Sequence, residues 1–161
     1  AILLSRICIP LLLGLTSATA LSQAAREGDT VLFVCEHGSV KSVMAATLFE
    51  QEAKRRGLEL HAMSRGLKPD TTVPPGIVAA LRSDGIDVSG FTPQQVNPHD
   101  ASGAVRVVAI GIDPSSLTTA GTKTEVWSDV PDSTNYPAAR AAIQGHIEKL
   151  LDELQSRDKR D

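Results

Sequence analysis

The sequence predicts a single α/β domain, a short four-stranded parallel sheet with helices on both faces. Three observations predict it. Two continuous apolar runs, TVLFVC (30–35) and AVRVVAIGID (104–113), have the unalternating, β-branched character of strands buried on both faces. The stretch after the first run and the C-terminal stretch space their apolar residues by three and four, as helices do. Strand and helix signals therefore alternate along the chain, the order of an open parallel sheet. A length of 161 residues fits one such domain.

The elements follow in order. Arg6 precedes the apolar run ICIPLLLGL, and Ala18 and Ala20 form an A-x-A pattern. Together they predict an export signal over residues 1–20 and a linker over 21–29, so the protein is expected to be periplasmic or secreted. The run is shorter than the roughly 20 residues that span a bilayer, so no integral membrane association is expected after cleavage. The folded domain is expected over 30–155. Its first strand ends at Cys35, and a helix follows from Lys41 to Arg56 with Met44, Ala45, Leu48, Phe49 and Ala53 on one face. Gly57 stops it. LELHAMSRG (58–66) reads as a second strand. The loop KPDTTVPP leads into a helix over 76–83, and DGIDVSG gives a turn and a short extended piece. The third strand is 104–113 and a fourth is KTEVW (123–127). In the last helix Ala139, Ala142, Ile143, Ile147, Leu150, Leu151 and Leu154 make one apolar stripe. QSRDKRD after it reads as a frayed stretch, with residues 156–161 a polar tail.

Composition excludes several classes. Net charge is -3, so no nucleic-acid partner or anionic membrane surface is expected. The aromatics are Phe33, Phe49, Phe91, Trp127 and Tyr136, too few for a base-stacking surface. His37, His61, His99 and His146 lack ligand spacing, so no metal and no cofactor are expected. Cys8 lies in the expected signal, leaving Cys35 as the lone cysteine of the domain. It cannot form an intramolecular disulfide, and is either a small core residue or a reactive thiol.

Its neighbours, VCEHGSVKS (34–42), favour the thiol. Ligands of open α/β sheets bind beyond the carboxyl ends of the strands, where Cys35 stands. A loop of small residues, Glu36 to Val40, runs into the helix that begins at Lys41. Loop amides and a helix N-terminus converging on one point make an anion cradle, and the same donors stabilise a thiolate. A thiolate beneath a bound phosphate is a nucleophile for phosphoryl transfer. Gly38 supplies the positive φ that such a loop needs. Ser39 supports the loop, and Ser42 is placed to donate to the thiolate.

VLFVCEHGSVKSVMAATLFEQEAKRRG resembles the start of the low-molecular-weight protein tyrosine phosphatases and the related thioredoxin-coupled arsenate reductases, whose pattern is V-C-x-x-N-x-x-R-S followed by a Met-Ala helix. MSRGLKPD is similar to the family's S-A-G-T stretch, LRSDGIDVSG to its G-I-D-x-S segment and VWSDVPDS to its W-x-x-P-D-P loop. The resemblance implies a phosphate-binding loop after the first strand, made of Glu36, His37, Gly38, Ser39, Val40, Lys41 and Ser42. It implies Cys35 as nucleophile, Ser42 as the serine that steadies the thiolate, and Asp132 as the acid that protonates the leaving oxygen. Asp129 is the fallback acid.

Three positions depart from the family pattern. Gly38 replaces an asparagine in left-handed backbone, a sound exchange. Ser133 replaces the proline after the acid. Lys41 replaces arginine. A lysine is a point charge and loses the two-pronged grip on equatorial phosphate oxygens, worth roughly 2–4 kcal/mol of transition-state stabilisation. Glu36 is a carboxylate within the cradle and is expected to face solvent or pair with a cation. The expected activity is an exported cysteine-dependent phosphomonoesterase acting on a phosphate ester or other oxyanion. The alternatives are an arsenate reductase using an external thiol, since no cysteine follows Cys35 and Val40 takes the in-loop cysteine position, and a weakly active or inactive oxyanion-binding domain.

Overall fold

The computed structural model describes residues 28–119 and 121–158. The expected export signal (1–20), residues 21–27 of the linker and residues 159–161 of the tail lie outside the described residues.

Four parallel strands form one sheet: β1 (Thr30–Cys35), β2 (His61–Gly66), β3 (Arg106–Ile110) and β4 (Thr124–Trp127). Their spatial order is β2-β1-β3-β4. The chain order thus reverses between β1 and β3, and such a switch point opens a crevice at the strands' carboxyl ends. Register brings those ends level, with Cys35 opposite Gly66 and Val34 opposite Ala109.

Alternation along β1 divides the core. Val31, Phe33 and Cys35 face one side, where α1 (Lys41–Arg55), α2 (Pro75–Ser83) and α4 (Tyr136–Asp158) pack. Leu32 and Val34 face the other, against Val107 and the short α3 (Pro98–Ser102) with its following loop. The helical stripes read from the sequence are buried: Met44, Ala45, Leu48, Phe49 and Ala53 on α1, and Ala139, Ile143, Ile147, Leu150, Leu151 and Leu154 on α4. Each large apolar side chain so buried contributes about 1.5–3 kcal/mol. Phe33 sits between Phe49 and Trp127, both with ring centroids 5.6 Å away. This fixes the sheet face directly beneath Cys35. No helix among the described residues is long and apolar enough to cross a membrane.

The differences from expectation are local. β2 starts at His61 rather than Leu58, because residues 57 and 58 close the end of α1: Gly57 has φ +70° and Leu58 N donates to Ala53 O. Residues 86–95 form no strand. Instead Gly66 N donates to the Gln94 carbonyl and Val96 N to that of Gly66, an isolated pairing at the end of β2. α3 is too short to show apolar periodicity. It exists through a capping box, in which Asn97 accepts from the amides of His99 and Asp100 while Asp100 accepts from that of Asn97. α4 starts at Tyr136, ahead of its apolar stripe, and runs past it to Asp158.

Candidate active site

The end of β1, the loop 36–40 and the first turn of α1 form one floor. Cys35 is almost wholly buried there, with 6 % of its surface exposed. The first turn of α1 has no side-chain cap and no acidic residue, so its amides are not claimed by a neighbouring carboxylate or hydroxyl. Unpartnered amides at a helix N-terminus favour an anion.

Behind the thiol lies a hydroxyl relay. Ser64 Oγ donates to Ser42 Oγ at 2.9 Å, and Ser42 Oγ lies 3.1 Å from Cys35 Sγ. Ser42 already accepts from Ser64, and a thiolate can only accept. With Cys35 as a thiolate, the relay runs Ser64 to Ser42 to Cys35. Both serines are buried, so the relay is not diluted by water.

The loop is fastened along the segment after β2. Leu67 N donates to Cys35 O, Lys68 N to Glu36 O and Asp70 N to His37 O. Ser39 Oγ donates to the Asp70 carboxylate, and His37 Nδ1 stands 3.6 Å from the same group. Gly38 has φ +62°, and a Cβ there would lie 2.7 Å from the amide nitrogen of Gly66. A Cβ on Gly66 would lie 2.6 Å from Gly38 N. Two backbones meet face to face here, and only glycine fits either side. Glu36 turns outward to Lys68 at 3.5 Å, as its place in an anion cradle requires.

Opposite this floor stands the loop between β4 and α4. Asp132 lies on it, exposed, and accepts the Thr134 amide at 2.9 Å. That bond, with Lys41 nearby, holds its carboxyl below the usual range. Lys41 spans the gap, with Nζ donating to the Val130 carbonyl at 3.0 Å. A cleft of about 230 Å³ joins these parts and is lined by Cys35, Glu36, His37, Ser39, Val40, Lys41, Asp70, Ile110, Gly111, Asp132 and Ser133. Cys35, Lys41 and Asp132 thus share one opening at the sheet's switch point. Asp129 does not line it. Its Oδ1 meets His146 Nε2 at 2.7 Å.

The profile of the low molecular weight phosphotyrosine protein phosphatase family matches residues 30–114, from β1 through β3. The chain belongs to this family. A Halobacterium salinarum protein described as a candidate arsenate reductase is 26% identical over 132 residues, covering 78% of this chain and 93% of that protein. Two solved structures share the fold. YfkJ from Bacillus subtilis has a TM-score of 0.68 at 24% identity, covering 80% of this chain and 95% of its own. The YwlE arginine phosphatase from Geobacillus stearothermophilus has a TM-score of 0.68 at 21% identity, covering 81% of this chain and 96% of its own. The matched region contains Cys35 and the loop that follows it. The family match ends before the loop that carries Asp132, so the acid is assigned by that loop's resemblance and its place in the cleft.

Ser64 and Asp70 were missed as functional residues. Ser64 had a signal, because it is the serine of the S-A-G-T-like stretch and falls opposite Phe33 in register. Asp70 had none, since its tie to Ser39 depends on how the loop after β2 folds back.

Proposed function

We propose that the chain is a cysteine-dependent phosphatase working through a cysteinyl-phosphate. One observation carries the reading: Cys35, backed by the Ser64–Ser42 relay, opens onto the same cleft as Asp132. In the first step Cys35 Sγ attacks phosphorus and the bond from phosphorus to the leaving oxygen breaks. Asp132, protonated, gives its proton to that oxygen. In the second, a water loses a proton to Asp132 and attacks phosphorus, the S–P bond breaks and the thiolate returns. The resting Asp132 suits the second step, since Thr134 and Lys41 favour its ionised form. An incoming phosphate dianion opposes that bias and favours the protonated form needed first.

Hydrolysis of aryl phosphates tests the reading. Cys35→Ser should abolish it. Asp132→Asn should slow phenyl phosphate by about 10²–10⁴-fold and p-nitrophenyl phosphate far less, because only a poor leaving group needs the proton. Hydrolysis that survives Cys35→Ser overturns the proposal. The reductase alternative has less support, as no cysteine follows Cys35 to relay a disulfide.

A second reading concerns the substrate. No phenylalanine, tyrosine or tryptophan is among the residues that line the cleft, while Asp70 and Asp132 are two acidic residues among them. A phosphotyrosine ring finds only the His37 imidazole to stack on among them, whereas a phosphorylated guanidinium finds carboxylates. Phosphoarginine is therefore the second candidate, in line with the name of the Geobacillus relative. Relative kcat/KM on phosphotyrosine and phosphoarginine peptides decides between them. Export also stands as a proposal, carried by Arg6, the apolar run and the A-x-A site, and N-terminal sequencing of the exported protein should find a start near Leu21.

A further inference from the structure

We propose that His146 is a positioning residue for proton transfer, holding the Asp132 loop through Asp129 and Trp127. The inference rests on the reading of Asp132 as the acid. Residues 128–135 connect β4 to α4, and the hydrogen bonds Asp132 makes stay inside them: its carboxylate accepts from Thr134 N and its carbonyl from Asn135 N at 3.1 Å. Where Asp132 points is therefore decided by what anchors the loop, not by any bond of its own to the cleft.

Two anchors exist. On the nucleophile side Lys41 holds the Val130 carbonyl, and the Val130 side chain is buried. On the far side stands His146, in the middle of α4. Its ring stacks on Trp127, with centroids 4.7 Å apart and planes 13° from parallel. Trp127 is itself buried, 1 % exposed and bonded from Nε1 to Glu125. The stack fixes the imidazole plane, and its Nε2 meets Asp129 Oδ1 at 2.7 Å.

An exposed carboxylate–imidazole pair contributes little to stability. Its geometry is the informative part. One partner is locked against the core and the other lies three residues from the acid. A misplacement of about 1 Å can cost a reaction two decades in rate, so such a tether matters to catalysis without mattering much to folding.

The test compares wild type, His146→Phe, Asp129→Ala and the double variant. Phenylalanine keeps an aromatic ring against Trp127 and removes only the bond to Asp129. Each single variant should lower kcat/KM on phenyl phosphate about 10–100-fold while changing p-nitrophenyl phosphate by less than a few fold. The double variant should be no worse than either single, because both cut one tether. Amide exchange at Thr134, which reports the Asp132 bond directly, should quicken in all three. A uniform loss on both substrates, an additive double variant or unchanged Thr134 exchange overturns the inference. Asp132→Asn run alongside separates the two claims: if it slows both substrates equally, the acid assignment itself fails and the inference falls with it.

Discussion

Lys41 stands at the start of α1, lines the cleft and reaches the loop before α4. By sequence it is a weakened arginine, a point charge at the helix mouth where the family carries a fork. In the structure its ammonium is bonded to the Val130 carbonyl, 89 residues away, so it also joins the start of α1 to the loop that carries Asp132. No sequence pattern announces a bond to a backbone carbonyl at that distance. Cys35, Gly38 and Ser42, by contrast, were legible, because a strand end, a positive φ and an early-helix hydroxyl are local requirements. The double duty gives a prediction. Lys41→Met removes both the charge and the tie, and should cost about 10²–10³-fold in kcat while also raising KM for a dianion. Lys41→Arg restores a fork for the three equatorial oxygens of the transition state and should raise kcat more than it changes KM. Steady-state kinetics on an aryl phosphate reads both. A Lys41→Met enzyme with unchanged kcat would show that the lysine serves neither role.

At the scale of elements, the site depends on a seam between the cradle loop and the end of β2. The seam has three backbone bonds, from the amides of Leu67, Lys68 and Asp70, and one pair of glycines in contact. The sequence made Gly38 readable as a turn residue but left Gly66 unexplained. Its reason is a contact with a loop 28 residues earlier, which exists only once β2 lies beside β1. The boundaries of β2 and the existence of α3 escaped for a related cause, since both are set by hydrogen bonds rather than by apolar spacing. Gly66→Ala tests the seam. Its methyl would fall 2.6 Å from Gly38 N and 2.7 Å from His37 C, both backbone, so the loop must move. Overpacking of this kind costs about 1–3 kcal/mol of stability. The cradle moves with it, so oxyanion affinity should fall as well. Urea unfolding and phosphate inhibition measured on one preparation check both effects. Lost stability with unaltered inhibition would place the seam outside the anion site.

The whole molecule was the most legible level, because parallel-sheet strands and amphipathic helices carry their signal in the order of apolar residues along the chain. TVLFVC and AVRVVAIGID became β1 and β3, which flank the switch point, and the stripes of α1 and α4 close the face beneath Cys35. That architecture links binding to folding. The proposed anion site is assembled from β1, α1, the seam on β2 and the loop before α4. An oxyanion that binds only the assembled molecule must stabilise it, by about 2.7 kcal/mol at a hundredfold excess over Kd. For a domain of this size that is a rise of several degrees in Tm. Phosphate or arsenate should therefore raise the Tm of wild type. Cys35→Ser should rise as much, because serine keeps the cradle and loses only the nucleophile. Lys41→Met should rise less, having lost its one cation at the cleft floor. Thermal unfolding across a phosphate titration distinguishes these, and equal shifts in all three proteins would mean that the anion binds elsewhere.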